Sequence, residues 1–210
     1  MKAVKNIAVG FLVSFAGAIP LGYLNIAGYE IFSVEGWKAL LPYAVGVICV
    51  EAVVVYGTLI FADALASKKK LIRGIEIFSI LFMVALAILF FIKSGNPNQD
   101  VFFRKYFNHT PFVIGIILSA MNFMQVPFWL AWNLYVVNKG YAITSGIYKF
   151  YYLFGTLFGS VAGIVGIAVT LDYAGRSSAF LSENVIPFLF PIAFTLLAIY
   201  QSIQFYRKYY

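Results

Sequence analysis

The sequence predicts an all-α integral membrane protein, with six transmembrane helices arranged as two inverted three-helix repeats. Three observations predict it. Of 210 residues, 62% are hydrophobic and only 11% are charged, whereas soluble domains carry about 45–50% apolar and about 25% charged residues. The apolar residues gather into six runs, each long enough to cross a hydrocarbon core of about 30 Å at about 1.5 Å per residue. The two halves of the chain also repeat the same order of small and polar residues inside those runs. The runs fill nearly the whole sequence, so residues 1–210 read as a single membrane domain.

The runs cover roughly residues 7–32, 39–65, 72–92, 112–137, 147–171 and 185–205. The first is longer than the apolar region of a signal peptide and reads as a retained helix. The linkers are short and polar, "ASKKKLIRG" and "NKGYAITSG" among them. Lys and Arg in short loops set orientation, the richer side facing the cytoplasm. One side would hold Lys2, Lys5, Lys68, Lys69, Lys70, Arg73, Lys139, Lys149, Arg207 and Lys208. The other would hold Lys38, Lys93, Arg104, Lys105 and Arg176. Both termini are therefore expected in the cytoplasm, although Arg104 and Lys105 run against the rule. The sequon Asn108-His109-Thr110, followed by Pro111, reads as a chance match.

The first run places Ser14 four residues after Gly10, and the fourth places Ser119 four residues after Gly115. The second run carries Tyr43, Gly46 and Glu51, and the fifth carries Tyr152, Gly155 and Ser160 at the same spacing. Repeat one would span about 1–95 and repeat two about 108–210. Each half has an odd number of spans, so two copies joined head to tail lie upside down relative to each other. Inverted repeats of this kind are a common transporter plan, with sites where broken helices meet near the midplane.

Other classes are excluded in turn. The net charge of +7 comes from basic residues at run ends, which orient a membrane protein and do not mark a nucleic-acid surface. The single cysteine, Cys49, leaves no intrachain disulfide or multi-cysteine metal site and reads as a small core residue. No nucleophile elbow, zinc-protease motif, phosphate loop or carboxylate pair is present. No enzyme activity, metal or cofactor is expected. His109 is the only histidine and lies in a loop. Glu30, Glu35, Asp63 and Glu76 lie near run ends and are expected to be solvated.

Polar residues inside the runs carry the candidate chemistry. In "AIPLGYLN", Pro20 removes a backbone donor, Gly22 loosens the chain and Asn25 adds an amide. Freed backbone groups survive only against protein or a water-filled cavity, so this break exposes half-helix ends that can bind ions or substrates. A plain packing kink is the alternative. The fourth run reads "MNFMQVPFWLAWNLY". Asn122, Gln125, Trp129, Trp132 and Asn133 fall on one helical stripe, and Pro127 is expected to break that helix. The stripe reads as a substrate-binding surface, or as interhelical glue. Glu51 lies near the centre of the second run, where a charged carboxylate costs on the order of 3 kcal/mol to insert. Such a group can be neutral in one state and ionised in another, as a proton carrier must be; the alternative is a structural carboxyl bonded to a neighbouring helix. Gly155, Gly159, Gly163 and Gly166 read as a packing surface on the fifth run.

These residues resemble the LysE-type amino-acid exporters. Pro20-Leu21-Gly22-Tyr23-Leu24-Asn25 lines up with that family's Pro-x-Gly-Pro-x-Asn, with Tyr23 in place of the second proline. Gly46 and Glu51 line up with its Gly and acidic residue, with Glu for the usual Asp. Asn122 lines up with the Asn of its Asn-Pro pair, with Phe123 in place of the proline. The resemblance covers the whole chain in length and number of spans. It implies proton-coupled export of amino acids or similar small zwitterions from a bacterial inner membrane, by alternating access. Expected partners are the solute, protons and the lipid bilayer, with room for a homo-oligomer. The alternative is a membrane scaffold or assembly protein with no transport activity.

Overall fold

The computed structural model describes residues 2–18, 22–61, 69–94, 110–177 and 186–209. Among the described residues there are eight helices and no strands. They are α1 (Lys2–Ala18), α2 (Tyr23–Glu35), α3 (Trp37–Ile60), α4 (Lys69–Ser94), α5 (Pro111–Met121), α6 (Gln125–Asn138), α7 (Tyr148–Ser177) and α8 (Ile186–Tyr209).

Trp37–Ile60 and Tyr148–Gly175 are each long and apolar enough to cross a membrane. The pairs α1–α2 and α5–α6 pass the same test together, bent by 80° and 72°. Two to four membrane-crossing segments follow on length and composition, and the chain has the character of a membrane protein. Its surface agrees: Val53, Phe91 and Leu196 turn outward, while Asn6, Ser119 and Thr156 are fully buried. Apolar side chains outside and paired polar groups inside are what a lipid solvent selects.

Both bends occupy the runs that carried helix-breaking residues. In the first run α1 ends at Ala18 and α2 starts after Gly22. In the fourth run the break falls at Asn122–Met124, three residues ahead of the expected site at Pro127. Pro127 sits in the first turn of α6, where its missing N–H would have had no intrahelical partner. The stripe from Asn122 to Asn133 is therefore interrupted at its start. Between α2 and α3 the turn is made by Gly36 at φ +67, a left-handed conformation that glycine adopts without strain. The second run was expected to reach residue 65; α3 ends at Ile60, and residues 62–65 lie outside the described ones.

Four glycines set the central packing. A Cβ on Gly10 would collide with the Tyr152 carbonyl, and one on Gly155 with the Ile7 carbonyl. A Cβ on Gly115 would collide with the Tyr43 carbonyl, and one on Gly46 with the Phe112 carbonyl. Small residues thus bring α1 onto α7 and α3 onto α5 at backbone contact. Contacts advance in the same sense along both partners: Ile7 meets Gly155, Phe11 meets Gly159 and Ala18 meets Gly163. α1 and α7 are therefore parallel. The contacts of Phe112 with Gly46 and of Ser119 with Val47 make α5 and α3 parallel as well. α3 and α7 pack against each other in opposite directions, since Tyr43 lies near Ile164 and Tyr56 stacks on Phe150. α4 and α8 pack together beside this centre.

Gly155, Gly159 and Gly163 form the expected packing surface, whereas Gly166 has open space before it. Cys49 corrects an expectation: it is exposed on the outer face of α3, not packed in the core. Glu30 is buried, and Glu76 is held by Lys208, so neither is simply solvated.

Candidate functional site

Glu51 lies midway along α3, where four helices converge. Its carboxyl lies beside the Ser160 hydroxyl of α7 and the Trp129 indole of α6. The Ser160 hydroxyl lies 2.5 Å from that of Ser14 on α1. Ser14 stands one turn before α1 ends and Trp129 one turn after α6 begins. The carboxyl thus lies between the end of one half-helix and the start of another. Glu51 is 9% exposed and Trp129 2%, so the site is enclosed yet Glu51 is not fully sealed.

The two breaks are neighbours. Tyr23, the first residue of α2, donates to the Leu118 carbonyl of α5 at 2.7 Å. A Cβ on Gly17, before the first break, would meet the Phe128 ring beyond the second. Beside the first break a cavity of about 330 Å³ opens between α1 and α7, lined by Phe15, Ala18, Gly163 and Thr170 among others.

The amides expected to bind substrate serve the breaks themselves. Asn25 Nδ2 donates to the Ala18 carbonyl at 2.8 Å. Gln125 Nε2 donates to the Ser119 carbonyl at 2.8 Å. In each case an amide past the break donates to a carbonyl in the last turn of the helix before it, and the Ser119 carbonyl also accepts the Asn122 N–H at 3.0 Å. Asn133 is committed as well. Its Nδ2 donates to Thr58 Oγ1 at 3.0 Å and to the Val55 carbonyl at 3.3 Å, and its Oδ1 accepts the Tyr152 hydroxyl at 3.0 Å.

The expected residues therefore separate. Glu51 and Trp129 are brought together, Asn133 anchors a second polar cluster on the same faces, and Asn25 and Gln125 each secure a break. Gly22 precedes α2 as its cap, Asn122 ends α5, and Trp132 is exposed. Pro20, like His109 and Asp63, lies outside the described residues. Ser14 and Ser160 were not singled out as site residues. The signal was present, because Ser160 occupies the place of Glu51 in the second half and Ser14 recurs as Ser119. Asn6 was missed altogether. It is fully buried and binds the 143–148 turn through Ile143 and Tyr148.

Among the described residues no group of histidine, cysteine, aspartate or glutamate could hold a metal ion. Comparison with protein-family models, with curated proteins and with solved structures finds no match.

Proposed function

We propose that the chain is a proton-coupled secondary transporter that exports amino acids or related small zwitterions, similar in plan to the LysE-type exporters. The observation that carries this reading is Glu51, a buried carboxyl beside Ser160 and Trp129 where two broken helices meet. Intramembrane carboxyls in such places serve as proton carriers, and half-helix ends near the midplane serve as substrate sites.

The inverted-repeat architecture belongs to the same proposal. Its support is reciprocity. Gly10 meets the Tyr152 carbonyl as Gly115 meets that of Tyr43, and Gly155 meets Ile7 as Gly46 meets Phe112. A two-fold axis in the membrane plane would generate both parallel pairs from one. The helices α4 and α8, 26 and 24 residues long, would complete six spans, since about 20 residues suffice. Both termini would then face the cytoplasm of a bacterial inner membrane. In alternating access, Glu51 would release its proton to one side and take one from the other as the substrate moves the opposite way. The substrate would bind at the paired breaks, against backbone groups around Pro20 and Asn122.

A second reading has its own observation. Asn25, Gln125 and Asn133 all spend their amide N–H groups on structure, as expected of a membrane scaffold whose polar residues only hold helices together. Flux decides between the two. Purified protein would be placed in liposomes loaded with mixed amino acids and small amines under an imposed pH gradient. Gradient-dependent release of one compound by the wild type, lost in folded Glu51→Gln, is the expected result. Wild-type flux in that variant across a range of pH would sink the proton role, and no release at all from folded wild-type protein would favour the scaffold.

A further inference from the structure

A second cavity, of about 350 Å³, lies between α4 and α8 and reaches Met124 at the second break. That volume is in the range of small-molecule sites, about 300–1,000 Å³. Glu76 enters it from α4, and Gln201, Arg207 and Lys208 enter it from α8. Lys208 Nζ holds Glu76 Oε1 at 2.6 Å. The other carboxylate oxygen, Oε2, and Gln201 Oε1 are buried and have no hydrogen-bond partner.

Buried acceptors left unpaired are costly and rare, and two lining one cavity call for a common donor. A primary ammonium offers three N–H groups and the right charge for a carboxylate. A bare cation fits the surroundings poorly, because Arg207 and Lys208 line the same cavity. Lys208 keeps 52% of its side chain exposed, so beyond its bond to Glu76 it can still face an anion. The fitting ligand therefore carries both an ammonium and a neighbouring anionic group.

We propose that this cavity binds a primary ammonium with an adjacent anionic group, the ammonium on Glu76 Oε2 and Gln201 Oε1 and the anion toward Arg207 and Lys208. Two sources carry that chemistry: the headgroup of an ethanolamine phospholipid, or a free soluble zwitterion such as O-phosphoethanolamine. The site is separate from Glu51, and binding there does not require that the chain transport anything.

Native mass spectrometry of the full-length detergent-solubilised protein tests it. The probes are phosphatidylethanolamine against phosphatidylcholine with the same acyl chains, and O-phosphoethanolamine. The choline headgroup keeps the phosphate and loses every N–H. The expected result is retention of the ethanolamine lipid over the choline lipid by about tenfold or more, the value of charge-assisted hydrogen bonds. Glu76→Gln should bring that ratio near one, and Gln201→Leu should lower it. Glu51→Gln should leave it unchanged, which keeps the outcome distinct from that of the flux assay. Saturable binding of O-phosphoethanolamine, lost in Glu76→Gln, with no preference between the lipids would assign the site to a soluble ligand of the same chemistry. Equal retention of both lipids by the wild type with no O-phosphoethanolamine binding would overturn the proposal. So would a preference that survives in both folded cavity variants.

Discussion

At the scale of single residues, the buried polar groups divide by whether their bonds are complete. Tyr152 and Asn133 satisfy each other and the carbonyl of Val55. Removing the hydroxyl in Tyr152→Phe leaves Asn133 Oδ1 without a donor, and a stranded buried acceptor costs about 1–3 kcal/mol. Unfolding in detergent should show a loss of that size. Asn25→Ala should cost a similar amount, about 1–3 kcal/mol, because the Ala18 carbonyl loses its donor at the first break. Glu51 differs in kind. Glu51→Gln keeps the size of the side chain and a carbonyl oxygen beside Trp129 and Ser160, so its unfolding midpoint should stay near the wild type while gradient-driven flux disappears. Equal losses of stability in all three variants would place Glu51 with the structural residues. The sequence showed that these side chains were polar and deep. It did not show which bonds they would complete, because each partner lies on another helix.

At the scale of elements, the contact between α1 and α7 depends on glycine. Gly155→Ala would drive a methyl into the Ile7 carbonyl. Backbone cannot move aside as a side chain can, so a loss of about 1–3 kcal/mol or more is expected from overpacking. Gly166 lies on the same helix with open space before it. Gly166→Ala should be neutral or stabilising by up to about 1 kcal/mol, through helix propensity alone. Thermal melts of the two variants side by side check both values. Equal effects would mean that α7 does not pack on α1 through this surface. The glycine spacing made the packing face legible in the sequence, but three of its four members use it. The fourth run was legible as a broken helix and mislocated by three residues. Proline was the visible breaker, yet the chain bends at Asn122–Met124, where the Asn122 N–H and the Gln125 amide both donate to the Ser119 carbonyl.

At the scale of the whole molecule, two parallel helix pairs with reciprocal glycine contacts constrain the topology. The proposed six spans would put both termini on one side, and the distribution of Lys and Arg would put that side in the cytoplasm. Protease sites added at each end of the chain should therefore be cleaved together in inverted membrane vesicles, and protected together in right-side-out ones. Cleavage of one end alone in either preparation would require an odd number of crossings and would remove the two-fold plan. The same plan would account for the placing of Glu51. A carboxyl midway along α3 and a serine in the corresponding place on α7 meet because the two helices cross near their middles in opposite directions.

The sequence by itself determined the class of molecule, the breaks in two helices, the glycine packing face and the place of Glu51 inside an apolar helix. All of these are local properties of composition and spacing, set by the free energy of transfer into lipid and by backbone chemistry. Only the tertiary structure decided that Asn25 and Gln125 close carbonyls, that Ser14 and Ser160 stand beside the carboxyl, and that Glu76 and Gln201 share a cavity. Hydrogen bonds between helices depend on register and crossing. In lipid every polar group must find a partner inside the protein, and which partner it finds is fixed when helices far apart in sequence come together.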